Sequence, residues 1–364
     1  MPIKIIFPAV FLLLSCSNDI YKSVAVNNPQ FIPNTIFGAS ENISDPKFSA
    51  LKEKYRLDTL FHNEKDELKR ILLIRNWIHK TIRIDDYGPY AGDGSVESTL
   101  DNALKGKGYH CGYYSAVQTA ILNAYGYVTR SILADTGIPV DYMVGGGHHA
   151  LNEVWLNSYH KWVLIDAKYD YHFEKNGIPL SALEVRSAYL KNKAADIDLV
   201  KGVERKIVAG MPEYNIPTRE DLAKVYTWIS WYKDNDRYTH WPDNSADIII
   251  YQDEYTKNHT WLWDGKPLWA YHTKYLHWAD DKSEIEWTPN VISSQISISG
   301  NKVKINLLSN TPNLKTYQIK TSDHWKDIAN SFESNLENKR YEWSFRTMNI
   351  AGVAGSEYKI ILAK

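Results

Sequence analysis

The stretch GGGHHALNEVWLNSYHKWVLIDAKYD, residues 145–170, predicts two β-strands joined by a short turn. Successive side chains of a strand point to opposite faces, so His149 and Leu151 share one face of the first strand. In the second strand, Asp166 shares a face with Leu164 for the same reason. The arrangement of this hairpin therefore decides whether a histidine and a carboxylate meet.

The turn sets the register of the two strands. It pairs Leu156 with Lys161. In that register Asp166 lies opposite Leu151 and one diagonal step from His149, which is within side-chain reach. A slip of one residue would move Asp166 to the other face of the sheet. The sequence therefore predicts a His149–Asp166 pair, on the condition that this register forms.

A cysteine lies upstream, in KGKGYHCGYYSAVQTAILNAYGY, residues 105–127. After Cys111, the residues Tyr114, Val117 and Ile121 recur at helical spacing, which predicts a helix that begins near the thiol. A thiol attacks carbonyl groups as the thiolate, and a helix N-terminus or a neighbouring imidazolium lowers its pKa. The chain thus supplies a candidate nucleophile, a candidate base and a group to orient that base.

The N-terminus predicts export. The apolar run after Lys4 has about half the length that a membrane-spanning helix needs, and it suits the hydrophobic region of a signal peptide. The sequence Leu-Leu-Ser-Cys that ends at Cys16 resembles a bacterial lipoprotein signal, in which the cysteine is lipidated. An ordinary signal peptide that contains a cysteine is the alternative. We expect an exported protein whose lipid anchors it in the bacterial cell envelope, with no other membrane contact.

Lipidation would leave a single thiol, because the chain has two cysteines. An odd cysteine in an exported protein indicates either pairing with another molecule or a retained reactive thiol. Composition says little more about function. The net charge is −1, so no electrostatic argument favours nucleic acid as a partner.

The combined pattern resembles a known family. Gly-x-x-Cys-Gly before a helix, then His-Ala-x-Asn-Glu-Val, then Trp-Val-x-x-Asp are similar to motifs of the transglutaminase-like superfamily, a papain-related group. The resemblance covers residues 68–170. It implies an α+β, papain-like core in which Cys111 is the nucleophile, His149 is the base and Asp166 orients the base.

Two residues depart from the family pattern. Leu151 stands where an aromatic residue is common, and His110 precedes the cysteine where a small or apolar residue is common. Three neighbours have further interpretations. His148 is a rival base, although it points away from His149 if the strand already begins there. Asn152 and Glu153 are candidate supporting residues, with ordinary strand polar residues as the alternative.

Nothing in the sequence predicts a metal or cofactor. The glycine run 145–147 lacks the lysine and helix of a phosphate-binding loop, so it is expected to let backbone pass close to the cleft. Asp85, Asp86 and Asp93 do not keep the spacing of a calcium loop.

The chain divides into five predicted parts. They are a signal peptide over 1–16, a spacer over 17–35, the catalytic domain over 36–200, a Trp-rich extension over 201–289 and a C-terminal module over 290–364. The extension is expected to pack on the catalytic domain, with most of its indole rings in a core and a few at the cleft. Short alternating strands predict an immunoglobulin- or fibronectin-like β-sandwich for the last part.

The predicted chemistry is acyl transfer from an amide through a thioester. With water as the acceptor, the chain would be a cysteine peptidase or amidase acting on a peptide, protein or glycopeptide, and we favour this hypothesis. With an amine as the acceptor, it would be a transglutaminase. Relatives resembling peptide N-glycanase suggest cleavage of glycan–asparagine amides. A surface binding lipoprotein without catalysis is the remaining hypothesis.

Overall fold

The computed structural model describes residues 21–135, 148–240, 247–258 and 276–364. Cys16, the signal peptide and the glycine run 145–147 lie outside these residues, as do Trp241, Trp261, Trp263 and Trp269. Among the described residues, no helix combines the length and apolar character needed to cross a membrane.

The helices are α1 (Pro46–Lys54), α2 (Glu67–Thr81), α3 (Val96–Ala103), α4 (Cys111–Ala124), α5 (Ala182–Asn192), α6 (Arg219–Lys224), α7 (Glu254–Asn258) and α8 (Lys282–Ile285). Their starts follow from capping residues. Asp66 accepts a hydrogen bond from the Lys69 N–H ahead of α2, and Ser181 forms a capping box with Glu184 ahead of α5. Helix α4 begins at the cysteine, as the sequence predicts.

The first ten strands are β1 (Lys22–Val24), β2 (Arg83–Ile84), β3 (Gly108–Tyr109), β4 (Thr129–Asp135), β5 (His148–Leu156), β6 (Lys161–Ile165), β7 (Tyr171–Lys175), β8 (Ile178–Pro179), β9 (Asp198–Lys201) and β10 (Lys206–Val208). The others are β11 (Trp228–Tyr232), β12 (Ile248–Tyr251), β13 (Leu276–Ala279), β14 (Ile292–Ser299), β15 (Lys302–Ser309), β16 (Leu314–Thr321), β17 (His324–Ile328), β18 (Ser331–Asn335), β19 (Arg340–Asn349) and β20 (Tyr358–Ala363).

A six-stranded sheet carries the candidate site, in the order β13-β12-β11-β4-β5-β6. Helices α2 and α4 share an apolar cluster with Val154 and Val163 from one face of this sheet. Leu151 and Leu164 belong to a second cluster on the other face, together with residues of α5 and β7. The mixture of helices and sheets fits the predicted α+β class.

The hairpin of β5 and β6 has the predicted register. Leu156 pairs with Lys161, and Asn152 pairs with Ile165. Asp166 directly follows β6 and forms an isolated bridge with Tyr171. The register therefore keeps Asp166 on the face that also carries His149.

The Trp-rich region differs from the expected extension. Strand β11 pairs with β4, and β12 pairs with β11, so the region completes the sheet instead of only packing on it. Without β11, β4 would present an open edge of unpaired backbone groups. Trp228 and Trp231 of β11 are buried, as is Trp287. The described tryptophans of this region are mainly core residues, as predicted.

The segment expected to be a spacer also makes ordered contacts. Strand β1 pairs with β20 at the edge of the C-terminal sheet. The Ile32 N–H donates to Thr288 Oγ1 at 2.8 Å. Residues 21–35 therefore include a strand, because the edge of β20 offers backbone groups that need partners.

The C-terminal part contains two antiparallel sheets, in the orders β1-β20-β19-β16-β17 and β14-β15-β18. Both contribute to one buried apolar cluster, which includes Val303 and Ile305 from β15 and Phe345 from β19. The two sheets thus have a core of their own. The finer assignment to an immunoglobulin or fibronectin type stays a prediction.

Candidate active site

Helix α4 presents Cys111 at its first turn. His110 occupies the N-cap, where its Nδ1 accepts a hydrogen bond from the Gly112 N–H at 3.0 Å. The thiol is half-buried and is not part of a disulfide. Its position at the N-terminus exposes it to the positive end of the helix dipole, which favours a thiolate.

The three residues predicted from the sequence meet at this point. His149 Nε2 is hydrogen-bonded to Asp166 Oδ2. The Cys111 thiol lies within interaction range of the His149 side chain and of the Ala150 N–H. Because Asp166 holds Nε2, Nδ1 is the ring nitrogen left for the sulfur. The arrangement is a chain of contacts from sulfur to imidazole to carboxylate.

Interactions of these three side chains with their neighbours shift their pKa values more than burial does. Burial alone would raise the pKa of the Cys111 thiol, but its hydrogen bonds with His110 and His149 hold that pKa well below its ordinary value. Burial would also lower the pKa of His149, but Asp166 and then Cys111 raise it to about 9. Burial would raise the pKa of Asp166, yet His149 keeps it low. These directions describe a thiolate, an imidazolium and a carboxylate in series.

The turn after β6 holds the histidine and the carboxylate together. The Tyr169 N–H donates to Asp166 Oδ1 at 3.0 Å, and Tyr171 exchanges two backbone hydrogen bonds with Asp166. The Tyr169 ring stacks on His149, with centroids 5.4 Å apart and planes at 28°. Tyr169 therefore restricts the orientation of both side chains.

The rival base lies elsewhere. The side chain of His148 is 36% exposed, and its Nδ1 lies 3.7 Å from Asp135 Oδ2. His149, the next residue on β5, is buried and contacts Cys111 and Asp166. Strand alternation separates the two rings, as the sequence predicts.

Asn152 and Glu153 make structural contacts behind the site. Asn152 Nδ2 donates to Thr119 Oγ1 at 2.7 Å, which ties β5 to α4. Glu153 is fully buried and accepts from Arg130 Nε at 2.9 Å and from Trp231 Nε1 at 2.8 Å. Both side chains therefore fix elements that carry the site, and the contacts described here are with the scaffold.

A cavity of about 550 Å³ lies beside the cysteine. His110 and Gly112, the residues on either side of Cys111, contribute to its wall. Ser115, Thr119 and Ser131 lie along its floor with their hydroxyl groups hydrogen-bonded within the protein. Tyr113, Tyr232, Tyr238, Lys47, Arg237 and Glu97 also line it. Such a lining suits a ligand that has apolar parts and a few polar groups.

One described tryptophan of the extension borders the apolar cluster on which the thiol packs. Trp278 is partly buried against an apolar cluster that also contacts Cys111 and Tyr232. Trp278 lies on β13, four strands from β5, and it is not among the residues that line the cavity beside Cys111.

Within the part of the chain that the structure describes, no group of three or more His, Cys, Asp or Glu residues is arranged to hold a metal ion. Asp86 instead forms an ion pair with Lys168 Nζ at 2.7 Å, and Asp85 lies 3.3 Å from Arg83. These two carboxylates have cationic side chains as partners.

Sequence reasoning missed two residues that touch the site. The sequence marked His110 only as a departure from a family pattern, although its position before a helix could have indicated a capping role. Tyr169 left no comparable signal, because its contacts depend on how the turn folds back over β5.

One family model matches part of the chain. Residues 55–167 match the model of the transglutaminase-like superfamily. This segment contains Cys111, His149 and Asp166, and it is similar to the transglutaminase-like core.

No curated protein matches the chain. One solved structure that it resembles is described as that of "a Putative Cysteine Protease from Cytophaga hutchinsonii". The two are 18% identical, the alignment covers 36% of this chain and 40% of that one, and the TM-score is 0.27. The chain thus spans less than half of that protein.

Proposed function

We propose that the protein is a cysteine hydrolase that cleaves amide bonds in peptides, proteins or glycopeptides. The single observation that carries the proposal is the continuous contact from Cys111 to His149 to Asp166 at the start of a helix. A core cysteine would not require a buried ion pair of histidine and aspartate beside it.

The first step forms a thioester. The Cys111 sulfur attacks the carbonyl carbon of the amide, the carbonyl oxygen takes the electron pair, and the C–N bond then breaks. The protonated His149 gives its proton to the departing nitrogen, which leaves as an amine. Asp166 keeps the imidazole in the orientation and tautomer that this transfer needs.

Water completes the cycle. His149 takes a proton from water, the resulting hydroxide adds to the thioester carbon, and the C–S bond breaks to return the thiolate and a carboxylic acid. The Cys111 backbone N–H is a natural donor to the oxyanion, since the first N–H groups of a helix lack intrahelical acceptors. The next N–H, that of Gly112, is taken by His110.

The cavity is consistent with a substrate that carries both apolar and polar groups. Its volume of about 550 Å³ is large enough for several atoms on either side of an amide bond, and hydroxyl and charged groups line it. An amine that enters the same cavity in place of water would resolve the thioester by transfer, so the acceptor defines the class of enzyme. We favour water, which is the acceptor available by default.

Location in the cell envelope is a separate proposal, supported by the sequence around Cys16. Cys16→Ser is expected to release the protein from the membrane fraction, because the proposed lipid is attached through Cys16. The reactivity of Cys111 should not change. Since one acyl chain binds membranes only marginally, the proposed anchor carries more than one. Membrane fractionation with immunoblotting measures this. Retention of the variant in the membrane fraction would contradict lipidation.

The enzymatic proposal is tested with peptide amides, in the presence and absence of a primary amine. Release of a carboxylic acid that contains an oxygen atom from isotopically labelled water supports hydrolysis. Stable incorporation of the amine would establish transfer instead. A chain that binds the peptides without consuming them, and whose Cys111 resists electrophiles, would be a binding protein.

A further inference from the structure

His110 is the feature of the site that the proposed chemistry does not use. Its ring is in contact with three parts of the nucleophile's surroundings: the Cys111 side chain, the Gly112 backbone and the Tyr113 ring. We propose that His110 is a positioning residue that holds the Cys111 sulfur toward His149. The inference rests on the proposed function, since it concerns the orientation of the same nucleophile.

The backbone fixes one edge of the ring. Nδ1 accepts from the Gly112 N–H at 3.0 Å, so this nitrogen carries no proton while the helix cap is formed. The ring is therefore neutral and has its proton on Nε2. A neutral imidazole can share a hydrogen bond with sulfur without placing a second positive charge beside His149.

Two aromatic side chains pack against the His110 ring. Tyr90 and Tyr113 approach it with centroids 4.9 Å and 4.7 Å away and planes tilted by 69° and 68°. These edge contacts limit rotation of the imidazole. A ring fixed in this way restricts the rotamers that the neighbouring cysteine can adopt.

Gly112 leaves the space that the His110 ring occupies. A Cβ at position 112 would lie 2.8 Å from His110 Cε1, closer than real Cβ contacts come. Gly112 is helical and has no positive φ, so its lack of a side chain is needed for the approach of the ring and not for the backbone conformation. The residue types at positions 110 and 112 therefore both serve this contact.

Other charged or titratable groups also face the thiol. They are His149 on β5, Lys168 in the turn after β6, Tyr90 in the loop before α3 and Tyr232 on β11. Tyr90 packs against the His110 ring and stays in both variants, and the other three groups have no described ring contact with His110. A change in thiol reactivity in such a variant is thus assigned to the loss of this one ring.

The test compares two ways of removing the contact in the full-length chain. His110→Asn keeps an N-cap acceptor but removes the imidazole. Gly112→Ala keeps the imidazole but displaces it. Iodoacetamide labelling of Cys111 is followed by peptide mass spectrometry across pH 5–10, with a thermal melt for each variant. Ser181→Ala, which removes the cap of α5 far along the chain from the thiol, is the matched control.

Both site variants are expected to melt within a few degrees of wild type and to label more slowly at acidic pH. If the pKa of the thiol rises by about one unit, the labelling rate below that pKa falls about tenfold. Ser181→Ala should melt lower and keep the wild-type pH profile. Wild-type profiles for both His110→Asn and Gly112→Ala would show that His110 only caps the helix. If Cys111 of the unsubstituted protein does not label at all, the proposed function itself fails.

Discussion

Two buried histidines of this molecule each contact a carboxylate, and they differ in charge. His149 is hydrogen-bonded to Asp166, and His172 Nε2 lies 2.6 Å from Glu174 Oε1. The pKa of His149 is raised to about 9. Burial lowers the pKa of His172 to about 4, although Glu174 opposes that change. A carboxylate partner alone therefore does not determine the protonation of a buried histidine.

The third partner accounts for the difference. Arg75 Nη1 lies 2.8 Å from His172 Nδ1, and a guanidinium can only donate, so this nitrogen must accept. His172 is consequently neutral and donates from Nε2 to Glu174. His149 has a thiol at the corresponding nitrogen, and a thiol can transfer its proton to the ring. One histidine is prepared for proton transfer, and the other is fixed between ions.

The ion pairs around His172 support the part of the scaffold that positions His149 and Asp166. Arg75 of α2 also donates to Asp170 Oδ1 at 2.8 Å, four residues after Asp166. On the other side, Arg205 makes two hydrogen bonds of 2.8 Å to Glu174. We infer that this network fixes the turn that carries Asp166 and takes no part in the chemistry.

The largest expected effect comes from the reactive pair. Asp166→Asn should leave the fold intact but favour the wrong imidazole tautomer, which costs about 10⁴-fold in kcat in comparable triads. Turnover of a peptide amide and a thermal melt of the same sample measure both parts. Activity within about tenfold of wild type would remove Asp166 from the mechanism.

Removal of Arg75 should act on stability. Arg75→Met leaves Asp170 buried without its ion-pair partner, and such a loss costs about 3–5 kcal/mol. The free energy of unfolding in urea provides the measurement. In folded molecules Cys111 should still react, and His172 should become easier to protonate, as nuclear magnetic resonance titration would show. A cost below about 1 kcal/mol would mean that the network is not structural.

The free energy of unfolding at acidic pH should depend on His172. A histidine whose pKa falls from its ordinary 6.5 to about 4 on folding stabilises the native state above pH 6.5, and this contribution is lost as the pH falls from 6.5 to 4. The change corresponds to about 3 kcal/mol at most. His172→Gln can still accept from Arg75 and donate to Glu174, but it does not titrate. Urea unfolding of this variant should therefore show a smaller loss of stability over that pH range, and an unchanged loss would contradict the assignment.

The smallest expected change in the free energy of unfolding comes from an exposed ion pair, which serves as the control. Lys54 Nζ lies 2.8 Å from Asp101 Oδ2, and the two side chains are 46% and 42% exposed. Lys54→Met should change the free energy of unfolding by less than about 1 kcal/mol, because solvent screens such pairs. A larger change, measured in the same urea titration, would show that the stability assay does not separate buried from exposed ion pairs.

The two regions also differ in how far the sequence predicts them. Local strand alternation and a short turn were enough to place Asp166 beside His149, and helical spacing placed Cys111 at the start of α4. The pairing of β4 with β11 joins segments about a hundred residues apart, so no local pattern indicates it. The contact of Arg75 with His172 has the same origin. Charged residues on a helix and a strand ordinarily predict solvent-facing positions, and only tertiary packing buries them together.

The central claim is that Cys111 and His149 form an ion pair, and the pH dependence of Cys111 alkylation tests it most directly. Rates are measured by mass spectrometry of the Cys111 peptide, for wild type and for His149→Asn. In the wild type, the rate should follow a thiolate whose pKa is well below the ordinary value, so labelling persists at pH 6. In the variant, the pKa should return toward the value of a free thiol, about 8.5. A wild-type profile that rises only near pH 8.5, or one that His149→Asn leaves unchanged, would contradict the account.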